Sequence, residues 1–261
     1  MKLNETSEKT ITSEKIESWR YPRFFSDNIG ETVMITGSDA AHISRVLRMK
    51  RGDIAVVCDC RGTDLLCRII TAGESAAELE IIGRRRSEGE PDVCLRLFQC
   101  MPKSDKMDFI VQKAVELGAA EVIPVISKRC VSRPDEKGAA KKRERWQRIA
   151  EEAAKQCGRG LIPRVGEMIS FSDAAARCAA GDGTGIFFYE CGGVRLCDIP
   201  GLADKKEINV LIGPEGGFEP HEAELAAASG LVTAGLGKRI LRCETAPVAS
   251  IAILMNITGN M

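Results

Sequence analysis

Leu211-Ile212-Gly213-Pro214-Glu215-Gly216-Gly217-Phe218 and Leu236-Gly237-Lys238-Arg239-Ile240-Leu241-Arg242-Cys243-Glu244-Thr245-Ala246 decide how this chain is read. Each follows a short apolar run that reads as a buried strand, Ile208–Ile212 and Leu231–Leu236, and each feeds a helical pattern. Glycine lets main chain approach a ligand closely, so two Gly-rich strand-to-helix turns build a pocket lined by backbone. Open α/β sheets bind ligands at the carboxyl ends of their parallel strands. Glu215, Arg239, Arg242 and Glu244 add more charge than a plain turn requires.

Outward from these turns, the chain alternates. Val93–Cys100, Glu121–Ile126 and Gly185–Tyr189 read as strands. Asp105–Leu117 is an amphipathic helix with Met107, Ile110, Val111, Ala114 and Leu117 on one face, closed by Gly118. Lys141–Cys157 is a second helix. It buries Trp146, Ile149, Ala150, Ala153 and Cys157 and carries Lys141, Lys142, Arg143, Arg145 and Arg148 on the opposite side. Ser172–Ala180 and Pro220–Ser229 are shorter helices, the latter opened by its proline. Thr245–Thr258 is the last, with Thr245 as N-cap and Val248, Ile251, Ala252 and Met255 as its core stripe. Such alternation implies a mostly parallel sheet.

Before it lies a β-rich segment: Thr32–Thr36, Ile54–Asp59, Leu65–Ala72 and Ala77–Ile82 are short runs bounded by Gly and Asp. Between the first two, the stretch from His42 to Arg51 has Ile43, Val46 and Leu47 at helical spacing. Its other face carries His42, Arg45, Arg48 and Arg51 without an acid, which suits phosphate. Arg84 to Pro91 reads as a linker. Tyr21, Phe24 and Phe25 read as an N-terminal strand packed on this domain, with Arg23 free to point outward. The expected division is a flexible polar extension over residues 1–19, a small β-rich domain over 20–90 and an α/β domain over 91–261.

Composition narrows the classes. The chain has 261 residues and is 44% hydrophobic, enough to bury a core. No apolar run reaches the ~18–20 residues of a membrane span. The first 19 residues hold three Lys and four Glu with no apolar block, so they are read neither as a secretory signal nor as a transit peptide. Eleven Cys in a chain of this length, with no Cys-x-x-Cys and two His, read as reduced cytosolic thiols, and no metal site is expected. Lys plus Arg and Asp plus Glu balance at 37 each, so basic character is local. Gly230 and Gly235 have the spacing of a nucleotide phosphate loop, but Leu236 stands where the Lys must be. Neither a Gly-x-Gly-x-x-Gly dinucleotide turn nor a Gly-x-Ser-x-Gly elbow is present.

Several blocks carry a family resemblance. They are Tyr21-Pro22-Arg23-Phe24-Phe25, the run His42-Ile43-Ser44-Arg45-Val46-Leu47-Arg48, Gln112-Lys113-Ala114-Val115-Glu116-Leu117-Gly118, Glu152-Ala153-Ala154-Lys155-Gln156-Cys157-Gly158-Arg159, and both Gly-rich turns. In this order they resemble the bacterial 16S ribosomal RNA uracil-N3 methyltransferases of the SPOUT class, from about Arg20 onward. The segment before Arg20 departs from the family pattern.

The resemblance implies a small PUA-like β-barrel that helps hold RNA, and a SPOUT-type α/β domain ending in a trefoil knot. It implies S-adenosylmethionine as cofactor, two chains paired as a homodimer, a cytoplasmic location and no membrane. The substrate would be N3 of uridine 1498 in 16S ribosomal RNA of the small subunit. Cofactor binding falls to Ile212, Gly213, Glu215, Gly216 and Gly217 in the first turn and to Leu236, Gly237, Ile240 and Leu241 in the second. Arg242 would stabilise the uracil anion. Glu244 would accept the N3 proton, orient Arg242 or cap the last helix, and Glu215 has a purely turn-stabilising alternative. Arg239 would face phosphate. Arg23, His42, Arg45, Arg48 and Lys103 would clamp the RNA, and Gln156 and Arg159 would reach the target base or its backbone. Two other functions remain open. A ribose 2′-hydroxyl target usually goes with a Ser-Leu-Asn turn, where this chain has Glu244-Thr245-Ala246. A non-catalytic RNA-binding or ribosome-assembly protein would bind no cofactor.

Overall fold

The computed structural model describes residues 21–261; the polar segment expected over residues 1–19 lies outside the described residues. Backbone contacts divide the chain into a unit ending at Glu88 and a unit spanning Gly89–Met261.

The first unit is a five-stranded sheet. Its strands are β1 (Arg23–Phe25), β2 (Thr32–Thr36), β3 (Ile54–Cys58), β4 (Thr63–Ala72) and β5 (Ala76–Arg86), in the order β1-β3-β4-β5-β2. β1 runs parallel to β3, and the other pairings are antiparallel. Phe24, Val33, Ile35, Val57, Leu65, Ile69 and Leu79 form its core, so the ring of Phe24 packs inward as its strand context suggested.

Two local expectations change here. Residues 84–86 belong to β5 rather than to a linker. Pairing with β4 satisfies their backbone, and the exposed side chains of Arg84 and Arg86 need no core. The helix expected from His42 to Arg51 is instead α1 (Gly37–Ala41) continued by a π-turn over His42–Val46. Leu47 N–H donates to the His42 carbonyl, an i to i+5 bond. The wider turn rotates Val46 and Leu47 off the face that buries Ile43, leaving them 67% and 39% exposed.

The second unit is an eight-stranded sheet in which every pairing is parallel. It contains β6 (Cys94–Cys100), β7 (Glu121–Ile126), β8 (Arg164–Val165), β9 (Ile169–Ser170), β10 (Thr184–Phe188), β11 (Val194–Arg195), β12 (Glu207–Ile212) and β13 (Val232–Gly235). The order is β11-β13-β10-β12-β6-β7-β8, with β9 also on β7. The helices are α2 (Lys106–Glu116), α3 (Glu136–Cys157), α4 (Phe171–Ala179), α5 (Pro220–Ala228) and α6 (Thr245–Ile257).

Each helix boundary has a local cause. Asp135 caps α3 by accepting from Gly138 N–H at 2.8 Å, and Gly158 ends it in the left-handed region at φ 81°. α5 begins with a capping box between Glu219 and Glu222 and a proline in its first turn. α6 differs from expectation: Glu244, not Thr245, occupies the N-cap position, and its side chain makes no capping hydrogen bond. The buried face of α6 is Pro247, Ser250, Ile251, Leu254 and Met255, with Val248 and Ala252 only half-buried.

Candidate active site at the carboxyl edge of the parallel sheet

β12, β10 and β13 are neighbours, so the loops leaving their carboxyl ends converge. Together they line a cavity of about 610 Å³, within the range typical of small-molecule sites. The first turn contributes Ile212, Gly213, Glu215, Gly216 and Gly217, and the second contributes Leu236, Gly237, Arg239, Ile240, Leu241 and Arg242. The structure thus brings together, as two walls of one cavity, both sets of residues singled out from sequence.

The glycines have specific reasons. A Cβ on Gly213 would fall 2.8 Å from the Phe218 ring, which is buried against Phe187 and Phe171. Gly217 sits at φ 65°, and a Cβ there would collide with the Glu190 carboxylate. Gly237 also has positive φ, at 97°, and nothing stands within 4 Å of the place its Cβ would take. Gly216 is fixed from outside: Arg129 Nη1 donates to its carbonyl at 2.9 Å. On the far side of the same loop, buried Glu222 accepts from Lys128 N–H at 2.8 Å.

A third wall was not found from sequence. Tyr189, Glu190, Gly192, Gly193 and Val194 follow β10 and line the cavity. Gly192-Gly193 after an apolar run was the available signal, but only the sheet order places β10 between the two recognised strands.

The charges divide into two groups. Lys238, Arg239 and Arg242 are exposed, and no side-chain hydrogen bond or ion pair ties them among the described residues. Beneath them, Lys106 Nζ lies 2.9 Å from Glu215 Oε1 and 3.0 Å from Glu244 Oε2. Burial works to raise the Glu215 pKa. The ammonium of Lys106 and the backbone N–H groups of Glu215 and Lys103 outweigh it and hold the carboxyl at about 2. Burial likewise opposes ionisation of Glu244, and Lys106 and the Cys243 thiol overcome it, so its pKa is lowered. Burial and the neighbouring carboxylates push the Cys243 thiol up to about 12.

These partners bear on the roles expected of Glu244. Its carboxylate bonds Lys106 and the Cys243 thiol at 3.2 Å, not Arg242 and not the helix terminus. A carboxylate made less basic is poorly matched to taking a proton near neutral pH.

The expected RNA contacts separate into exposed and internal side chains. His42, Arg48, Lys103, Gln156 and Arg239 are exposed. His42 packs edge-on to Phe24, and Arg48 adopts φ 51°. Arg45 is exposed but paired with Glu74. Arg23 turns inward rather than outward: Nη1 donates to Asp64 Oδ2 at 2.9 Å, and the side chains are 12% and 2% exposed. Arg159 is internal too, with Nη2 2.8 Å from Glu90 Oε2 and further bonds to the carbonyls of Val115 and Ala119. The expected RNA role fails at both positions because a basic residue beside a polar motif carries no sign in sequence of a partner distant from it. Gln156 lies on a shallow surface of α2 and α3 with Gln112 and Arg148.

Comparisons with known proteins agree with this geometry. A family model described as an RNA methyltransferase domain matches residues 89–255, and one described as an RNA methyltransferase PUA domain matches residues 35–82. The Bacillus subtilis protein named ribosomal RNA small subunit methyltransferase E is 34% identical over 228 residues, which cover 85% of this chain and 89% of that protein. The crystal structure of ribosomal RNA small subunit methyltransferase E from Neisseria gonorrhoeae, bound to S-adenosyl methionine, matches with a TM-score of 0.83. It is 33% identical and covers 91% of this chain and 98% of that one. A putative methyltransferase from Legionella pneumophila in complex with the same cofactor matches with a TM-score of 0.81 and 26% identity, over 91% of this chain and 98% of that one. The expected fold class, a SPOUT-type α/β domain with a small PUA-like domain, is borne out. The chain belongs to the ribosomal RNA small subunit methyltransferase E family of RNA methyltransferases.

Proposed function

We propose that this protein transfers a methyl group from S-adenosylmethionine to N3 of uridine 1498 in 16S ribosomal RNA of the small subunit. The observation that carries the reading is the exposed guanidinium of Arg242, without a side-chain partner among the described residues, at the wall of a glycine-lined cavity.

The cavity suits the cofactor on its own features. Gly237 lines it and leaves open space where a side chain would stand, while a Cβ on Gly235 would already touch the Gly192 carbonyl at 4.0 Å. Ile212, Leu236 and Leu241 offer apolar contact for a flat ring, and Glu190 offers an acceptor for hydroxyl or ammonium groups. The bound cofactor supplies an activated methyl group on a sulfonium.

The residues of the chain do the rest. Uracil N3 gives up its proton to solvent at this exposed edge and forms the bond to the methyl carbon, the carbon–sulfur bond breaks with its electron pair left on a neutral thioether, and the negative charge that builds up meanwhile spreads over O2 and O4. Arg242 faces that charge without a competing carboxylate among the described residues. A preorganised donor of this kind contributes typically ~10²–10³-fold. Holding N3 in line with the methyl group supplies a further large share. Lys238 and Arg239 beside it suit the flanking phosphates. Because N3 is hidden in a stacked and paired base, the uridine is turned out of any stack. In this reading Arg23 and Arg159 hold the fold, and His42, Arg48, Lys103, Gln156 and Arg239 meet RNA.

The same reading carries a trefoil knot at the C-terminus, two chains paired across it, and action in the cytoplasm. Support for pairing comes from α6, which keeps Ile253 exposed and Val248 and Ala252 half-buried on a helix otherwise almost wholly apolar.

The test is methyl transfer from labelled S-adenosylmethionine to small subunits from cells lacking the modification, with the product nucleoside identified by mass spectrometry. N3-methyluridine supports the reading. A ribose-methylated product keeps the fold and overturns the target atom, and absence of cofactor binding overturns the enzyme.

A further inference from the structure

Lys106 is the first residue of α2, at the carboxyl end of β6. A cation there opposes the positive end of the helix dipole, so the local sequence does not explain it. Its tertiary contacts do. The ammonium joins Glu215 at 2.9 Å and Glu244 at 3.0 Å, with Cys243 Sγ at 3.7 Å. Glu215 lies in the turn after β12, and Glu244 is the residue at which α6 begins. One side chain therefore ties three segments that are far apart in sequence.

The connection between β6 and α2 is shaped for this contact. Ser104 sits in the left-handed region at φ 55°, an uncommon conformation for a residue with a Cβ. Around it, Lys103 N–H donates to both Glu215 oxygens, at 3.1 and 3.3 Å, while Lys106 reaches the same carboxylate. Lys106, Glu215 and Cys243 all line the cavity. Arg242 is the neighbour of Cys243, and its carbonyl accepts from Thr245 and Ala246 N–H at the start of α6. Whatever fixes Glu244 therefore fixes the backbone that carries Arg242.

We infer that Lys106 is a positioning residue that clamps the turn after β12 to the start of α6 and so holds Arg242 over the cavity. The inference rests on the methyltransferase reading for its effect on rate, but the clamp itself is a property of the protein alone. A misplacement of about 1 Å in a reacting group costs on the order of 10²-fold in rate. Ion pairs whose side chains are 29% and 25% exposed contribute a modest share of global stability, too little for their loss to unfold the protein. The signature is therefore a rate defect and a local loosening, with the fold intact.

The experiment compares wild type, Lys106→Met, Lys106→Arg and the double variant Lys106→Met/Glu244→Gln. Hydrogen exchange of the ligand-free proteins is followed by mass spectrometry, alongside kcat at saturating cofactor and RNA. In Lys106→Met, exchange is expected to rise at least about tenfold in residues 213–217 and 237–246, but not in β6 or β7, while kcat falls about 10–100-fold. Lys106→Arg restores most of both. The double variant stays slow, because neutralising a carboxylate does not rebuild the clamp. Unchanged exchange in Lys106→Met overturns the inference. So does recovery of kcat in the double variant, which would make Lys106 a mere counter-charge. If wild type transfers no methyl group, the methyltransferase reading fails while the exchange data still decide the clamp.

Discussion

Arg159 is bound to Glu90 across 69 positions of sequence, with Nη2 2.8 Å from Oε2 and only 4% of the arginine side chain exposed. Glu90 also accepts from the N–H groups of Gly160 and Leu161, at 2.8 and 2.9 Å. The pair closes the turn after α3 onto the segment that enters the α/β unit. Removing one partner leaves a buried charge uncompensated, which costs about 3–5 kcal/mol. Arg159→Ala is therefore expected to lower the urea midpoint of unfolding sharply. Protein that remains folded should bind RNA with nearly wild-type affinity. A stable variant with specifically weakened RNA binding would return Arg159 to the RNA surface.

Arg23 makes the parallel case in the first unit. Its partner Asp64 is buried and also accepts from the Ser87 hydroxyl. Arg23→Gln is expected to destabilise that unit, read as earlier proteolysis within residues 21–88 on a heating series. The salt dependence of RNA binding should not change.

Much of the α/β unit was legible because buried parallel strands are short continuous apolar runs with sharp polar ends. Ile208–Ile212 and Val93–Cys100 match β12 and β6 to within a residue. What escaped was set by tertiary contact. The spacing of Ile43, Val46 and Leu47 fits an α-helix, and nothing local announces the π-turn that exposes the last two. Arg84 to Arg86 resembled a linker because charge masks a strand whose backbone is paired, with Arg84 and Arg86 facing water and Arg85 turned toward buried Asp64. The two Gly-rich turns of the site could be read. Lys106 could not, since it looked like one more polar position on an amphipathic helix, while Glu215 and Glu244 lie more than 100 positions away. The same blindness placed Arg23 and Arg159 on the surface.

Arg242→Ala separates binding from chemistry. The guanidinium is exposed and makes no ion pair among the described residues, so its loss should leave the unfolding midpoint within experimental error. Methyl transfer should fall about 10²–10³-fold, with cofactor affinity by calorimetry changed less than about threefold. An equal loss of cofactor affinity and rate would make Arg242 a cofactor ligand instead.

Acid should unfasten the turn after β12 late. Glu215 has a folded pKa of about 2 against an ordinary 4.5, so its contribution is complete above pH 4.5 and fades as pH falls toward 2. Glu215→Gln removes that contribution at neutral pH. The stability gap between wild type and variant is expected to be constant from pH 7 to about 5 and to close between about 4.5 and 2. Denaturant titrations at a series of pH values measure it. A gap that persists at pH 2 would mean that the neutral side chain, not the carboxylate, makes the contact.

Salt dependence distinguishes the cations that meet RNA from those that hold the protein. Each phosphate contact releases counterions and adds about 0.7–0.9 to the slope of log affinity against log salt. Arg239 and Arg48 are exposed and tied to no carboxylate among the described residues, so each is free to make such a contact. Arg45 must first leave Glu74, and that exchange of one anion for another weakens its net gain. Arg239→Gln and Arg48→Gln are each expected to lower the slope by nearly one. Arg45→Gln should lower it less, and Glu74→Gln should strengthen binding slightly by freeing Arg45. Fluorescence anisotropy with a labelled fragment of the small-subunit RNA, from 50 to 300 mM KCl, gives the four slopes. Equal effects from Arg45 and Arg48 would show that the Glu74 pair opens on binding at no net cost.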